Sequence, residues 1–441
     1  MPGASRVTAV EAVRRMTNRM RSRGPDAYGE YAGEGIVLGH RRLAIVDLDP
    51  RANQPMQSFD GRFLIVFNGE IYNFRELRRE LEADGFQFRT TSDTEVLLTL
   101  FGHEGERMLP RLRGMFAFAI WDTRTRELFL ARDPYGIKPL FYAFTRDGLA
   151  FASQVKALQA SGLVQTGTEA AGLAGFYLWG SVPEPWTLYR DVMALPAGHS
   201  LRARAGAVNP PVSWYDIRAH WQAQGRKTSP ADLRERVRQA VSDSVRAHLL
   251  ADVPVSVFLS GGIDSGVIAG VVAEAGARIE GITVGFEEFA GLRDDETPAA
   301  RAVAKRYGLP HHVRIVSRVE FEHDIPRIVD AMDQPSIDGI NTWFVSKAAR
   351  ELGLKVAISG LGGDELFGGY PSFREIPKWV GLIGLPSRVP GLGRAARALG
   401  QRTGRWLGLN PKAAGMLELG GTYAGAYLLR RGLFMPWELR K

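Results

Sequence analysis

The stretch "VFLSGGIDSG", residues 257–266, decides how the C-terminal half is read. An apolar run ends in Ser260-Gly261-Gly262, an Asp-Ser pair follows, and then "VIAGVVAEAG" begins at helical spacing. A glycine loop between a strand and a helix suits an anion. The glycines let backbone N–H groups come close, and the helix N-terminus carries partial positive charge. Ser260 and Ser265 add hydroxyl donors. Asp264 is the informative residue. A carboxylate beside phosphate is repulsive unless a divalent cation bridges the two, so the loop predicts Mg2+. The G-x-x-x-x-G-K-[ST] spacing of a Walker loop is absent.

Outward from this loop, "VPVSVFL", "EGITVGF", "HHVRIV" and "KVAIS" alternate with helical periodicity from residue 253 onward. That alternation predicts an α/β doubly wound parallel sheet with ligands at the carboxyl ends of its strands. "VAISGLGGDELFGGY", residues 356–370, ends a second strand in a glycine turn with acids, and Asp364 could share the cation with Asp264. Upstream, Ser229-Pro230 open a helix with Leu233, Val237, Val241, Val245 and Leu249 every fourth residue.

A chain of 441 residues exceeds one ordinary core, and two domains are expected. Its composition, 45% hydrophobic and 24% charged, is that of a globular protein. The net charge of +8 is spread along the chain, with Arg beside Glu as in "NFRELRRELEADG". Solvated helix faces are the reading, and no nucleic-acid motif is present. There is no cysteine, which excludes disulfides, Cys-ligated zinc and a thiol nucleophile from the chain as written. No apolar run could span a bilayer and the first residues lack a signal-peptide core, so a cytoplasmic location without membrane contact is expected.

Residues 1–205 read as a layered α+β domain, 206–229 as a linker around "NPPVSWYDIRAHWQAQGRKTSP", and 230–441 as the doubly wound domain. "GRFLIVFNGEIYN" reads as a strand closing on Asn68-Gly69. Asn73 reads as the cap of a helix with Glu76, Leu77 and Leu81, stopping at Gly85. "RGMFAFAIWDTRTRELFLARDPYG" reads as a hairpin. The half also holds "RGPD" (23–26), "GHRRLAIVD" (39–47), "NGEIYN" (68–73), "TSDTE" (91–95) and "DPYGIKPLFY" (133–142). Arg42 offers a fork for a carboxylate, Asp93 can hold an ammonium, and Asn68 with the Gly69 N–H can form an oxyanion hole. Those parts suit a free amino acid whose side-chain carbonyl is attacked. Singly, each is more often a surface ion pair or a plain turn.

The S-G-G-x-D-S loop resembles that of the N-type ATP pyrophosphatases. With the N-terminal motifs ahead of it, nearly the whole chain closely resembles glutamine-hydrolysing asparagine synthetases. The resemblance implies a class II glutamine amidotransferase domain with an N-terminal-nucleophile sandwich fold, then an ATP-pyrophosphatase synthetase domain. Glutamine would lie against Arg42, Leu43, Ala44, Ile45, Val46, Asn68, Gly69, Glu70 and Asp93. ATP would lie against Leu259, Ser260, Gly261, Gly262, Asp264 and Ser265, with Val284, Ser359 and Gly360 around the adenine and ribose. Asp264 and Asp364 would hold Mg2+. Aspartate's β-carboxylate would be adenylated, and ammonia arriving through an internal tunnel would displace AMP. The implied partners are small molecules: glutamine, ATP, and aspartate or another carboxylate. A homodimer is the candidate assembly.

Several positions depart from the family. Its nucleophile is a cysteine exposed at the extreme N-terminus, whereas this chain begins "MPGASRV"; no catalytic nucleophile is assigned, and Ser5 and Thr8 read as surface residues. The family's first strand is expected to be missing, and so is a C-terminal segment carrying a catalytic lysine, which neither Lys412 nor Lys441 matches. Leu361 stands where some members carry a Glu proposed as a general base, and "DQPSIDGINTWF" (333–344) differs from familiar synthetases. Two alternatives follow from these gaps. One is a β-lactam synthetase-like adenylating ligase without glutaminase, against which the complete glutamine motifs weigh. The other is a non-catalytic paralogue that binds nucleotide or glutamine, against which the two retained carboxylates weigh.

Overall fold

Residues 63–71 and 114–122 carry apolar side chains on both faces, and that double-sided pattern makes them the middle of a layered domain. The structure, a computed structural model, describes residues 3–146, 148–204, 207–222, 229–407 and 411–439. Helix α1 (Gly3–Arg19) leads to the hairpin β1 (Ala27–Gly33) and β2 (Ile36–Arg42). Next come β3 (Met56–Gln57), β4 (Phe63–Ile71), α2 (Phe74–Ala83), α3 (Asp93–Glu104), β5 (Gly114–Asp122) and β6 (Glu127–Arg132). They are followed by β7 (Phe141–Thr145), β8 (Gly148–Ala152), α4 (Val155–Ser161), α5 (Ala170–Trp179), β9 (Val192–Ala194) and β10 (His199–Arg204). Two short strands, β11 (Ala207–Val208) and β12 (Val212–Ser213), pair with β10.

One antiparallel sheet runs β11-β10-β6-β5-β4-β3. Ile65, Phe67, Phe116, Phe118 and Phe129 on one face pack on Leu77 and Leu81 of α2 and Leu97, Leu98 and Phe101 of α3. Leu64, Val66, Trp121, Leu128 and Leu130 on the other face meet Leu38 of β2 and Tyr142 of β7. That second strand layer is split into the β1–β2 hairpin and a β8-β7-β9 sheet. The sheet is backed by Met16 of α1 and Val155 and Leu158 of α4. The order helix, sheet, sheet, helix is the sandwich expected.

Three local expectations are corrected. The strand does not close at Asn68-Gly69: β4 continues to Ile71, with Asn68 opposite Ala117 and Gly69 opposite Phe116. Gly69 is required by close approach, since a Cβ there would lie 2.2 Å from the Met115 carbonyl oxygen. Asn73 sits at the helix start without capping it; its amide donates to the Arg111 carbonyl and its oxygen accepts from the Arg113 N–H. Stitching two chain segments satisfies the side chain better than a local cap does. The expected linker begins as sheet, because β11 and β12 fall inside it; residues 223–228 of that linker lie outside the described residues.

The second half starts with α6 (Ile217–Gln222) and α7 (Pro230–His248), whose N-cap Ser229 accepts from the Asp232 N–H. Leu233 and Val237 on its expected apolar stripe are exposed, and only its last turns, with Val241 and Val245, join the core. Strands and helices then alternate: β13 (Val255–Phe258), α8 (Ile263–Glu274), β14 (Glu280–Phe286), α9 (Thr297–Tyr307), β15 (His311–Val316), α10 (Arg318–Ala331), α11 (Gly339–Glu351), β16 (Val356–Ile358) and α12 (Gly363–Phe367). The sheet is parallel in the order β15-β14-β13-β16. The α7–α9 helices cover one face and α10 and α11 the other, so the sheet is doubly wound. Helices from Ser372 to Arg431 follow. Among the described residues no helix is long and apolar enough to cross a membrane.

The halves are stitched together at several points. Asp333, ahead of α11, accepts from the Val155 and Lys156 N–H groups at 2.8 and 3.0 Å, filling the open start of α4. Gln334 accepts from the Leu188 N–H, and Lys355 pairs with Asp26 at 2.7 Å.

Candidate active sites

In the parallel sheet the chain steps from β13 outward through β14 to β15, then returns to the far side of β13 as β16. Such a reversal opens a crevice between the carboxyl ends of β13 and β16, where doubly wound folds bind ligands. Both loops singled out in the sequence end there. After β13, the Ser260 N–H donates to the Ser265 hydroxyl at 3.1 Å and the Gly262 N–H to the Ser260 hydroxyl at 3.1 Å. These bonds tie the loop on itself. Gly262 is the N-cap of α8 and supplies no side chain, so the first turn presents its amides to the crevice.

Asp264 lies in that first turn, against the second loop. A Cβ on Gly363 would sit 2.5 Å from the Asp264 carboxyl carbon, and one on Gly360 2.8 Å from its Cβ. Only glycine backbone at 360 and 363 admits the contact. The turn itself needs Gly362, whose φ is +97°. Asp364 is one residue beyond Gly363, and both carboxylates are half-buried. Among the described residues neither accepts a hydrogen bond from a protein group, which leaves their oxygens for something else. Among the described residues no group of three His, Asp or Glu forms a complete metal cage there. Two carboxylates and the phosphates of a nucleotide are the donor set Mg2+ takes, so the residues present fit. Val284 is half-buried on β14, whereas Ser359 is exposed and Leu361 is 90% exposed at the mouth.

The pocket's floor has a support that no motif announced. The Leu259 N–H donates to the Ile282 carbonyl at 2.8 Å, and the Leu259 carbonyl accepts from the Thr283 hydroxyl at 2.8 Å. Thr283 has one proton and gives it to a carbonyl, so its 2.7 Å contact with His311 Nε2 is a bond donated by the imidazole. Leu259 is thereby pinned at both ends immediately before the loop.

In the first half, a cavity of about 950 Å³ lies between β2 and β8, over β4 and β5. Arg42, Leu43, Ile45, Val46, Asn68, Gly69, Glu70 and Asp93 all line it. Ala44 is not among its lining residues; it is buried and its N–H donates to Asp26. Thr8 lines the cavity from α1. The Nδ2 of Asn68 is buried with no hydrogen-bond partner among the described residues, a donor left unspent. Asp93 is the first residue of α3, capped by Ser92, and accepts from the Ile71 N–H at 3.0 Å. Burial pushes its carboxyl up to about 6. Glu70 is 7% exposed, and burial, only partly offset by Lys138, pushes it up to about 7.

Arg42 is placed differently from the expectation. Four of its N–H groups serve the carbonyls of Val46, Asp47 and Asp49 and the side chain of Asn53. The guanidinium shapes the 43–49 loop, and only Nε–H is uncommitted among the described residues. Several cations escape a reading of the sequence: Arg23, Arg126, Arg146 and Arg204 also line the cavity, as does Lys138, whose pKa burial lowers. Lys138 sits inside the "DPYGIKPLFY" motif, but nothing in its spacing tells that it faces Glu70.

Residues 3–215 match the model of a glutamine amidotransferase domain, and residues 236–422 match that of asparagine synthase. The chain belongs to the glutamine-hydrolysing asparagine synthetase family. It is 39% identical over 379 residues to asparagine synthetase [glutamine-hydrolyzing] 1 of Bacillus subtilis, covering 85% of this chain and 58% of that one. A putative asparagine synthetase of Mycobacterium bovis is 40% identical, with 85% and 59% covered. Asparagine synthetase B of Escherichia coli is 33% identical, with 82% and 62% covered. The chain thus spans about three fifths of the length of the family members it matches.

Proposed function

We propose that the chain carries out ATP-dependent amide formation, with nitrogen taken from glutamine in the first half and a carboxylate activated in the second. The observation that carries this reading is the packing of Asp264 against the Gly360–Gly363 turn at the switch point, one residue from Asp364. The halves 1–205 and 230–441 act as the two domains, joined through 206–229.

In the second half, the Gly261 N–H and the first turn of α8 hold the pyrophosphate end of ATP. Leu259 and Ser265 fix the loop, and Val284, Ser359 and Gly360 border the nucleoside. Asp264 and Asp364 would hold Mg2+, which neutralises phosphate charge when bound. An oxygen of the acceptor carboxylate, aspartate in the simplest case, attacks the α-phosphorus and pyrophosphate leaves. Ammonia, released from glutamine as water converts its side-chain amide to a carboxylate, then attacks the acyl carbon through nitrogen, and AMP leaves with the carboxylate oxygen. Leu361 offers no base at the mouth. With aspartate present the protein should form AMP and pyrophosphate in equal amounts; ADP and phosphate would overturn the reading.

In the first half, Glu70 and Asp93 take the ammonium of glutamine, while Asn68 Nδ2 and the Gly69 N–H face its side-chain carbonyl. Arg42 holds the loop that carries Leu43, Ala44, Ile45 and Val46, and presents Nε–H to the ligand. Binding then depends on pH. Free Glu70 and Asp93 hold protons up to about 7 and about 6, and an ammonium between them drives those protons off. Glutamine affinity should therefore tighten as pH rises from about 5.5 and level off above about 7.5. Calorimetry at about pH 6 should show proton release on binding. Affinity independent of pH across this range would count against the two acids as the ammonium site.

A further inference from the structure

We infer that Asp252, a residue of the second half, is a positioning residue for the glutamine pocket of the first. This rests on the pocket reading given above and adds to it a part from the other half of the chain.

The loop after β2 carries the pocket residues Leu43, Ile45 and Val46, and at its end Asp47 adopts a left-handed φ of +55°. A non-glycine residue keeps that conformation only where its surroundings hold it. The Asp47 side chain is held within its own half: its carboxylate accepts from the Thr91 N–H and hydroxyl at 2.7 and 3.0 Å and from the Asp49 N–H at 3.0 Å. The backbone is held from outside. The Asp47 N–H donates to Asp252 Oδ2 at 2.7 Å, and the Asp252 N–H donates to the Ile45 carbonyl at 2.9 Å. Two bonds of opposite sense make a two-point clasp around Ile45–Asp47, which a single contact could not do. Arg42 closes the loop from within by donating to the Val46 and Asp47 carbonyls. Asp252 also stands three residues before β13, the strand that ends in the Ser260 loop. The glutamine-side loop is therefore fastened to the root of the nucleotide-side strand.

The test is glutamine binding to the whole chain by calorimetry at about pH 8, for wild type, Asp252→Ala and Asp252→Asn, with Mg-ATP binding measured on the same preparations. Asp252→Ala removes the bond to the Asp47 N–H and should weaken glutamine about tenfold, the equivalent of about 1.4 kcal/mol. Asp252→Asn keeps an acceptor oxygen and should stay within about threefold of wild type, since a carbonyl oxygen still takes the bond. Mg-ATP affinity should hold within about twofold in both, a difference near the floor of what single contacts carry. Should the alanine variant fail to fold, Asp252→Ser, whose side chain is too short to reach, reads the same loss. Unchanged glutamine affinity in Asp252→Ala, or equal loss in the alanine and asparagine variants, overturns the inference. A parallel fall in Mg-ATP affinity overturns it too, by making the residue a general brace. Wild-type protein that does not bind glutamine at all overturns the pocket reading itself, and this inference with it.

Discussion

Asp264→Asn should abolish Mg2+-dependent pyrophosphate release, lowering it on the order of a hundredfold or more, while leaving glutamine affinity as it is. The carboxylate lies in the first turn of α8, pressed against the backbone of Gly360 and Gly363, and no protein group among the described residues hydrogen-bonds it. Asparagine keeps the shape and the packing but carries no charge, so a cation held by Asp264 and Asp364 would lose one of those two ligands. Glutamine binding should not change, because the residues lining its cavity all lie between Thr8 and Val208. Measured pyrophosphate release across a Mg2+ titration separates the outcomes. A variant rescued by high Mg2+ has lost cation affinity; one that never recovers has lost the geometry as well. Wild-type rates in the variant would remove Asp264 from the metal role.

The second large effect concerns Glu70. Its carboxyl is raised from its ordinary value to about 7, chiefly by burial. A raised acid contributes stability that is fully present below its unfolded pKa, near 4.5, and is lost as pH rises through 7. Wild-type protein should therefore lose about 3 kcal/mol between about pH 4.5 and about pH 8 from this group alone, since each tenfold difference in proton affinity between the folded and unfolded chain is worth about 1.4 kcal/mol. Glu70→Gln lacks this titration. Relative to wild type it should gain that amount over the same window, read as thermal midpoints that diverge between about pH 5 and about pH 8. The same variant should bind glutamine more weakly at about pH 8, having lost a charge for the ammonium. Parallel stability curves for the two proteins would place the pH dependence elsewhere. Lys138, facing Glu70 in the cavity, is the reason the wild-type cost is not larger.

These two sites differ in how much of them the amino-acid order reveals. Strand, loop and helix around Ser260–Ser265 are contiguous, so local pattern alone is enough to locate the crevice between β13 and β16. The central parallel strands β13 and β14 are likewise legible as short, largely buried apolar runs, whereas the edge strand β15 carries His311, His312 and Arg314 and is legible only by its place in the strand–helix alternation. Asn68-Gly69 misleads for a physical reason: the dipeptide favours turns, yet here Gly69 is needed so that β5 can pass close to β4. Leu233 and Val237 point to the helix α7 correctly and to its buried face wrongly, since periodicity does not say where a neighbour stops. Asp252 is illegible because its partner Asp47 is 205 residues away in the chain. Glu70 and Lys138 are similar: each sits in a motif, but their mutual burial is made by the stacking of two sheets.

The measurement that bears most directly on the chemistry is isotope transfer. Aspartate labelled with 18O in its β-carboxylate would be supplied with Mg-ATP and either glutamine or ammonia, and the nucleotide product analysed by mass. Activation by adenylation predicts AMP carrying one 18O atom, because the oxygen that attacks the α-phosphorus leaves with it. Label recovered in inorganic phosphate beside ADP, or AMP formed without label, would contradict the assignment of the Ser260–Asp264 loop to adenylate chemistry.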